Sequence, residues 1–388
     1  MSSVSADPVL EQRVADCLVR AVSSGRIVGG VVLVARDGQP IIETIAGDAD
    51  RESGRKMTAG TIFRYSSLTK PIVAAATMAL VERGVIDLDD SIARWLPEFR
   101  PRLPDGELPE IRVHHLLTHT AGLGYRMLQP PGGPYEQAGV SDGLDESVLS
   151  IDEQLERLAH VPLDYPPGTA WGYSVAYDVL GALIARAAGA TLPEVIATAV
   201  TAPLGMRDTA FSVVDSARLA VPYVPARPPR IMGDPELVPY LPGTAGIRFS
   251  PSRIFKGDAF TSGGAGMAGT AHDFLKLLLA LQSNGGPLLQ ATSAREMRIN
   301  HIGALRLTAA QQPAWAFGFG GAVLMEPEIA GTPQGVGTWQ WGGVYGHHWY
   351  VDPANRVTVV ALTNTAIEGM MGGFVADLME AVYGAPSR

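Results

Sequence analysis

Two serines in this chain sit in patterns that could support nucleophilic catalysis. The first is Ser141 in "AGVSDGLD", where Gly139, Ser141 and Gly143 spell G-x-S-x-G, the pattern of a nucleophile elbow. An elbow needs a buried strand before its serine and a helix after it. Upstream lies "MLQPPGGPYEQA", whose prolines and glycines forbid a central strand, and downstream "LDESVLSID" is acidic and weakly periodic. Ser141 therefore reads as part of a surface turn. The second is Ser67 in "RYSSLTKPIVAAATMALVERG", which forms S-x-x-K with Lys70. On a helix these positions share a face, so the Lys70 amine can reach the Ser67 hydroxyl. A serine becomes nucleophilic once a base takes its proton, and a neutral lysine serves where desolvation or nearby cations lower its pKa. Beyond Pro71 the segment is almost wholly apolar, which predicts a buried helix from about 67 to 83. Its N-terminal N–H groups and positive dipole end would face the reacting carbonyl. Pro71 is tolerated only in the first turns of such a helix. Spacing alone also fits a helix-capping Ser67 and a solvated Lys70.

The elements that must position these residues follow a simple order. The first 25 or so residues read as an amphipathic helix, and two β-rich runs then flank Asp37-Gly38, a strong hairpin signal. The middle of the chain carries helical patterns such as "IDEQLERLAH" and "YDVLGALIARAAG" between long loops rich in Pro and Gly. Strand patterns return in "AWAFGFGGAVLM", "GTWQWGG", "GHHWYVD" and "RVTVVALTN", and a last helix runs from about Gly369 to Tyr383. This order predicts an α/β (α+β) fold: one antiparallel sheet built from both ends of the chain, flanked by terminal helices, with an inserted mostly helical lobe. The sheet domain would comprise residues 1–84 and 245–388, and the helical domain residues 85–244. The proline-rich stretch from 217 to 262 is long enough to form a wall or lid over a site.

Composition excludes several classes of function. Of 388 residues, 46% are hydrophobic and 18% charged, as in an ordinary packed protein. A net charge of −9 without a basic run argues against a nucleic-acid partner or a polybasic membrane patch. The single cysteine, Cys17, forbids an intramolecular disulfide and reads as a small buried hydrophobe. Adjacent His114 and His115 cannot share a helix face, and His119 reads as a hydrogen-bonded structural residue, so no metal or other cofactor is expected. The opening residues hold no apolar core of signal-peptide length, and "PIVAAATMALV" is too short to span a bilayer, which points to the cytoplasm.

Taken in order, the blocks "FRYSSLTKPIVAAATMALVERGVIDLDDSI", "IRVHHLLTHTAGLGY", "PPGTAWGYSVAYDVLGALIARAAG", "APLGMRDTAF", "SGGAGMAGTAHDFLKLL" and "WGGVYGHHWYVD" resemble the serine β-lactamase-related esterases. These are the family VIII carboxylesterases, relatives of class C β-lactamases and penicillin-binding proteins. The resemblance runs from about residue 10 to 385 and implies that Ser67 is the nucleophile and Lys70 its base. The family's Y-x-N element falls on Tyr173, Ser174 and Val175: the tyrosine is kept and the asparagine is not. The resemblance makes Tyr173 a proton-transfer group; local sequence alone fits a core aromatic at a helix start. The family's K-T-G element falls on Trp341, Gly342 and Gly343. Trp341 cannot bind a carboxylate as a lysine does, and offers an apolar wall instead. Both glycines allow close backbone approach to an acyl group. By the same carry-over the oxyanion hole is formed by the N–H groups of Ser67 and Val344, and Tyr125 lines the cleft.

His347 and His348 invite a Ser-His-Asp triad. Lys70 and Tyr173 already supply proton transfer, and strand alternation sends the two histidines to opposite faces, which leaves His347 as a cleft-lining residue. The expected activity is hydrolysis of small to medium acyl esters, the partner being a small-molecule ester. Alternatives are an acyltransferase on the same fold, a weak β-lactamase or peptidase, and a binding protein that keeps the penicillin-binding fold without catalysis.

Overall fold

The computed structural model describes residues 7–307 and 312–384. Its sheet uses β1 (Gly29–Arg36), β2 (Gln39–Asp50), β3 (Arg55–Lys56), β4 (Trp315–Phe317), β5 (Ala322–Leu324), β6 (Trp339–Gly343), β7 (His347–Asp352) and β8 (Val357–Thr363). The strands lie in the order β4-β5-β6-β7-β8-β1-β2-β3, and every pairing is antiparallel. The first and last parts of the chain therefore meet where β1 pairs β8, with Val32 opposite Ala361 and Val34 opposite Val359. Asp37 and Gly38 turn β1 into β2 with φ of 53° and 75°, the two positive values that a type I′ hairpin requires.

Period-two alternation explains why β1 and β8 read as unbroken apolar runs. Both faces of the sheet are covered, so both sets of alternate residues are buried. Val32, Val34, Tyr350 and Val359 point to one face and pack on α1 (Pro8–Ser23) and on the C-terminal helix Gly373–Tyr383, which contribute Leu10, Val14, Leu18, Phe374 and Leu378. Asp7 caps α1 by accepting from the N–H groups of Val9 and Leu10 at 3.2 and 3.1 Å, and Pro8 occupies the first helical position, where no donor is needed. Cys17 belongs to this layer at 1% exposure, and burial raises its thiol to about 11, so it behaves as a small hydrophobe. The expected final helix is broken at Gly372 into Glu368–Met371 and Gly373–Tyr383.

Val31, Leu33, Trp349 and Val360 point to the opposite face, into the main core. That core contains α2 (Thr69–Glu82), α3 (Ala176–Ala188) and α4 (Ala271–Gln282). Every residue of α2 from Thr69 to Leu80 is buried, as its all-round apolar sequence requires. The middle of the chain supplies α3, the helix Ile151–Ala159 and shorter turns. The 217–262 stretch forms two small hairpins, Tyr223–Val224 with Arg230–Ile231 and Glu236–Val238 with Ile247–Phe249. It is tied to the helical part by Ala245 N–H to the Gln129 carbonyl at 2.8 Å and by Ser250 N–H to the Leu144 carbonyl at 2.7 Å.

Because α1 seals the sheet face away from α2, its core can be weakened without touching the main core. Leu18→Ala, at a fully buried site, is expected to cost about 2–5 kcal/mol of stability through lost burial and a residual cavity. Urea denaturation should report that loss, while the KM for any substrate processed beside α2 stays unchanged.

Candidate functional site

Ser67 lies in a single 3-10 turn, Ser66–Leu68, that runs directly into α2. A short ladder of Phe63–Arg64 with Ala268–Gly269 holds the entry to this turn, and the Tyr65 N–H donates to the Met267 carbonyl at 2.8 Å. Ser66 adopts a φ of 47°, a left-handed conformation uncommon for a side-chain-bearing residue, immediately before Ser67. Lys70 and Pro71 follow in the first turn of α2, where proline's missing donor leaves no helical bond broken.

The turn brings three of the expected residues together. The Lys70 ammonium nitrogen lies 3.1 Å from Ser67 Oγ, and Ser67 Oγ lies 2.6 Å from the Tyr173 hydroxyl. Lys70 Nζ also donates to the Gly264 carbonyl at 2.9 Å and to the Tyr125 hydroxyl at 3.1 Å. The rings of Tyr173, Tyr125 and Tyr177 surround it at 4.7, 5.5 and 5.9 Å from their centroids. Lys70 is 0% exposed, and this desolvation pulls its pKa from 10.5 to about 7; the more distant carboxylates of Asp178 and Asp142 oppose the fall. Burial acts in the other direction on Tyr173, pushing its phenol up to about 12 despite hydrogen bonds from its neighbours, so Tyr173 is a neutral phenol at ordinary pH.

Strand β6 forms the opposite edge. Trp341 donates its indole N–H to the Tyr173 oxygen at 3.2 Å, so it provides a polar contact as well as a wall. At Gly343 a Cβ would stand 2.6 Å from the Tyr65 carbonyl and 2.7 Å from Ser66 Oγ, so β6 abuts the turn that carries Ser67 and only glycine fits. The next residue is Val344. Among the described residues neither its N–H nor that of Ser67 donates to any protein acceptor, which leaves both available to an outside oxygen.

Other expected residues are placed differently. Tyr125 is 2% exposed and is a partner of Lys70 rather than an open cleft residue. His347 is 1% exposed; its Nε2 engages the Arg64 carbonyl at 2.8 Å, and burial lowers its pKa to about 4. No hydrogen bond joins it to Ser67, Lys70 or Tyr173, so it supports the turn from beneath instead of lining the cleft. His119 is buried with Nδ1 3.0 Å from Ser174 Oγ, the structural setting expected for it. Tyr177 donates to the Leu117 carbonyl at 2.8 Å and packs.

Ser141 is not on the surface. Its hydroxyl donates to Asp145 at 2.7 Å and accepts from the Gly143 N–H at 3.0 Å, while Gln154 receives its backbone N–H. Buried side chains thus satisfy this turn, which an appeal to its Gly, Ser and Asp content alone misses. Sequence reasoning also passed over Asp178. It accepts from Ser262 Oγ at 2.6 Å and from the Gly264 N–H at 2.9 Å, and so orients the carbonyl that holds Lys70. The available signal was an acid in the first turn of a helix whose next six residues are all buried.

The family model described as Beta-lactamase matches residues 9–382. The chain belongs to the beta-lactamase family. It is 47% identical to Esterase EstB of Burkholderia gladioli over 393 aligned residues, covering 99% of this chain and 100% of that protein. The solved structure of EstCE1, described as a hydrolase with promiscuous acyltransferase activity, superposes with a TM-score of 0.94 at 45% identity and covers 97% of this chain and 99% of its own. Simvastatin synthase from Aspergillus terreus, at 23% identity, a TM-score of 0.76 and 98% coverage of both chains, shares the fold.

The approach of β6 to the Ser66–Leu68 turn makes a direct prediction. Gly343→Ala must push the strand off the turn, and a displacement of about 1 Å near reacting groups can cost about 100-fold in rate. Labelling of the protein by a fluorophosphonate should slow by that order, as followed by intact mass.

Proposed function

We propose that this chain is a serine carboxylesterase that forms an acyl-enzyme on Ser67. The observation that carries this reading is the Ser67 hydroxyl held simultaneously by a fully buried Lys70 amine at 3.1 Å and by Tyr173 at 2.6 Å. Similarity to an esterase over the full length supports it. A lysine with the ordinary pKa of 10.5 is neutral in about one molecule in 3,000 at pH 7, whereas one near 7 is about half neutral.

In acylation Ser67 Oγ bonds to the ester carbonyl carbon as its proton passes to Lys70, and the carbonyl π electrons move onto oxygen. The N–H groups of Ser67 and Val344 receive that oxyanion; one such donor typically contributes about 3–4 kcal/mol to transition-state stabilisation. The tetrahedral intermediate collapses by breaking the bond to the alcohol oxygen. Tyr173 protonates the departing alkoxide and regains a proton from the Lys70 ammonium. Water then attacks the acyl carbon, giving its proton to the same pair, and Ser67 leaves with a proton restored.

Trp341 where the resemblance places a lysine, and Val175 where it places an asparagine, remove two polar handles for a charged β-lactam. We therefore assign small to medium neutral acyl esters as substrates, with nitrocefin turned over far more slowly than p-nitrophenyl butyrate. An acyltransferase reading uses the same acyl-enzyme with an alcohol replacing water, and the description of EstCE1 favours keeping it as the second reading. A single buried cysteine is at home in the reducing cytoplasm, where we place the protein.

Fluorophosphonate treatment should add one equivalent of mass to the peptide containing Ser67 and none to that containing Ser141. An adduct on Ser141, or none, would overturn the assignment. The pH profile offers a second check. The base is the neutral amine, so kcat/KM is expected to rise with pH through a limb near 7 as Lys70 loses its proton. Lys70→Met should lose that limb and about 10²–10⁴-fold of the rate.

A further inference from the structure

Behind the site lies a cavity of about 440 Å³, within the range of small-ligand pockets. None of Ser67, Lys70, Tyr125, Tyr173 or Trp341 lines it. It is separated from them by the 262–267 segment. Ser262, Gly266 and Met267 face the cavity, while the Gly264 carbonyl on the other side holds Lys70. Exposed Ser212, Phe255 and Gly257 form part of its lining and open it to solvent.

The charge of this lining departs from that of the molecule. In a chain of net charge −9, the cavity is lined by Arg64, Arg253 and Lys256 and, among the described residues, by no acidic one. Arg64 is held by the Pro251 and Ala220 carbonyls at 2.9 and 3.0 Å, with no carboxylate within 4 Å, and its Nη2 has no acceptor among the described residues. Arg253 is held by the carbonyls of Asp145, Ser147 and Phe260 and lies 3.9 Å from the Asp145 carboxylate, and its Nε likewise lacks an acceptor among the described residues. Among the described residues Lys256 reaches only the Glu146 carbonyl, at 3.3 Å. Three acids stand around this lining without entering it: Asp145 accepts from Ser141 and pairs with Arg126 as well as Arg253, Asp234 accepts from Ser250 and Ser252, and Asp178 accepts from Ser262. Phe211, Val213, Ile254, Phe260 and Met267 supply an apolar remainder. Three cations held mainly by carbonyl oxygens, with one carboxylate 3.9 Å from Arg253, beside an apolar surface are complementary to an anion that carries a hydrocarbon chain.

We propose that this cavity binds an amphiphilic carboxylate, its head group between Arg64, Arg253 and Lys256 and its chain along the apolar lining. On the esterase reading above, this is the chemical class of the acid the enzyme itself releases. Octanoate is the probe, measured by isothermal titration calorimetry on Ser67→Ala and on wild-type protein phosphonylated at Ser67. One equivalent is expected to bind both forms with similar Kd, octylammonium is expected to give no saturable heat, and Val213→Trp and Lys256→Glu should each weaken binding at least 10-fold. Loss of binding on phosphonylation would place octanoate in the catalytic cleft and overturn the proposal. An unchanged Kd in either variant, equal binding of octylammonium, or no binding at all would overturn it too. Failure of the wild-type protein to be phosphonylated would sink the esterase reading alone, because the Ser67→Ala titrations and the two variants still locate the octanoate.

Discussion

An amine stripped of water is the constraint on which the site depends. Lys70 lies on a helix whose neighbouring residues are buried on every side, so its charge has no solvent to stabilise it. Such a residue would be expelled or permanently neutral unless the protein met its hydrogen-bonding needs. An ammonium has three donors, and three acceptors surround Nζ: Ser67 Oγ, the Tyr125 hydroxyl and the Gly264 carbonyl. A neutral amine has two donors and one lone pair, and the Ser67 hydroxyl can turn to donate to that pair. The same cage therefore serves both protonation states, as the proposed general base needs. Asp178, which accepts from the Gly264 N–H, opposes the desolvation of the amine.

The fold enforces this geometry by close backbone approach more than by side-chain reach. The ladder of 63–64 with 268–269 brings the entry to α2 beside the 262–267 segment, so Ser67 and Gly264 face Lys70 from two distant parts of the sequence. Strand β6 closes the third side at a separation that admits no side chain at 343. Its register is set by β7, with Gly343 opposite His347, and His347 in turn grips the Arg64 carbonyl just before the turn. The sheet is thus a rigid edge against which a strained turn is held, and the strain at Ser66 is maintained by what packs around it.

Those parts of the site that depend on local spacing were legible in the sequence, and those that depend on tertiary approach were not. S-x-x-K before an apolar helix makes Ser67 and Lys70 candidates, because i and i+3 on a helix can meet, while the family resemblance is what selects them over a capping serine and a solvated lysine. The strand runs, the Asp37-Gly38 hairpin and the sheet shared by both ends follow from period and turn chemistry. Tyr173 lies more than 100 residues from Ser67, and only ordered blocks resembling a family could pair them. The resemblance places Tyr125 in the cleft, and nothing local reveals that its hydroxyl ends at Lys70. Ser141 was rightly set aside as an elbow, yet its turn is buried: the partners that make burial tolerable, Asp145 and Gln154, come from outside the five-residue pattern. Alternation separated His347 from His348 but could not reveal that His347 bonds the turn from beneath.

The departure at position 341 has an electrostatic meaning beyond the loss of an anion-binding group. Burial sends Lys70 down and Tyr173 up, and two groups pushed apart in this way suit the base and the acid of the proposed mechanism. That division requires Tyr173 to remain a phenol. An ammonium within hydrogen-bond distance of its oxygen would stabilise the phenolate and draw its pKa toward that of Lys70. The Trp341 indole occupies that place at 3.2 Å, donating a hydrogen bond without a charge and contributing its ring to the wall. Exchange of a lysine for a tryptophan at such a position therefore acts twice. It withdraws the attraction for a substrate carboxylate, and it leaves a neutral phenol facing the oxygen where a departing alkoxide would need its proton.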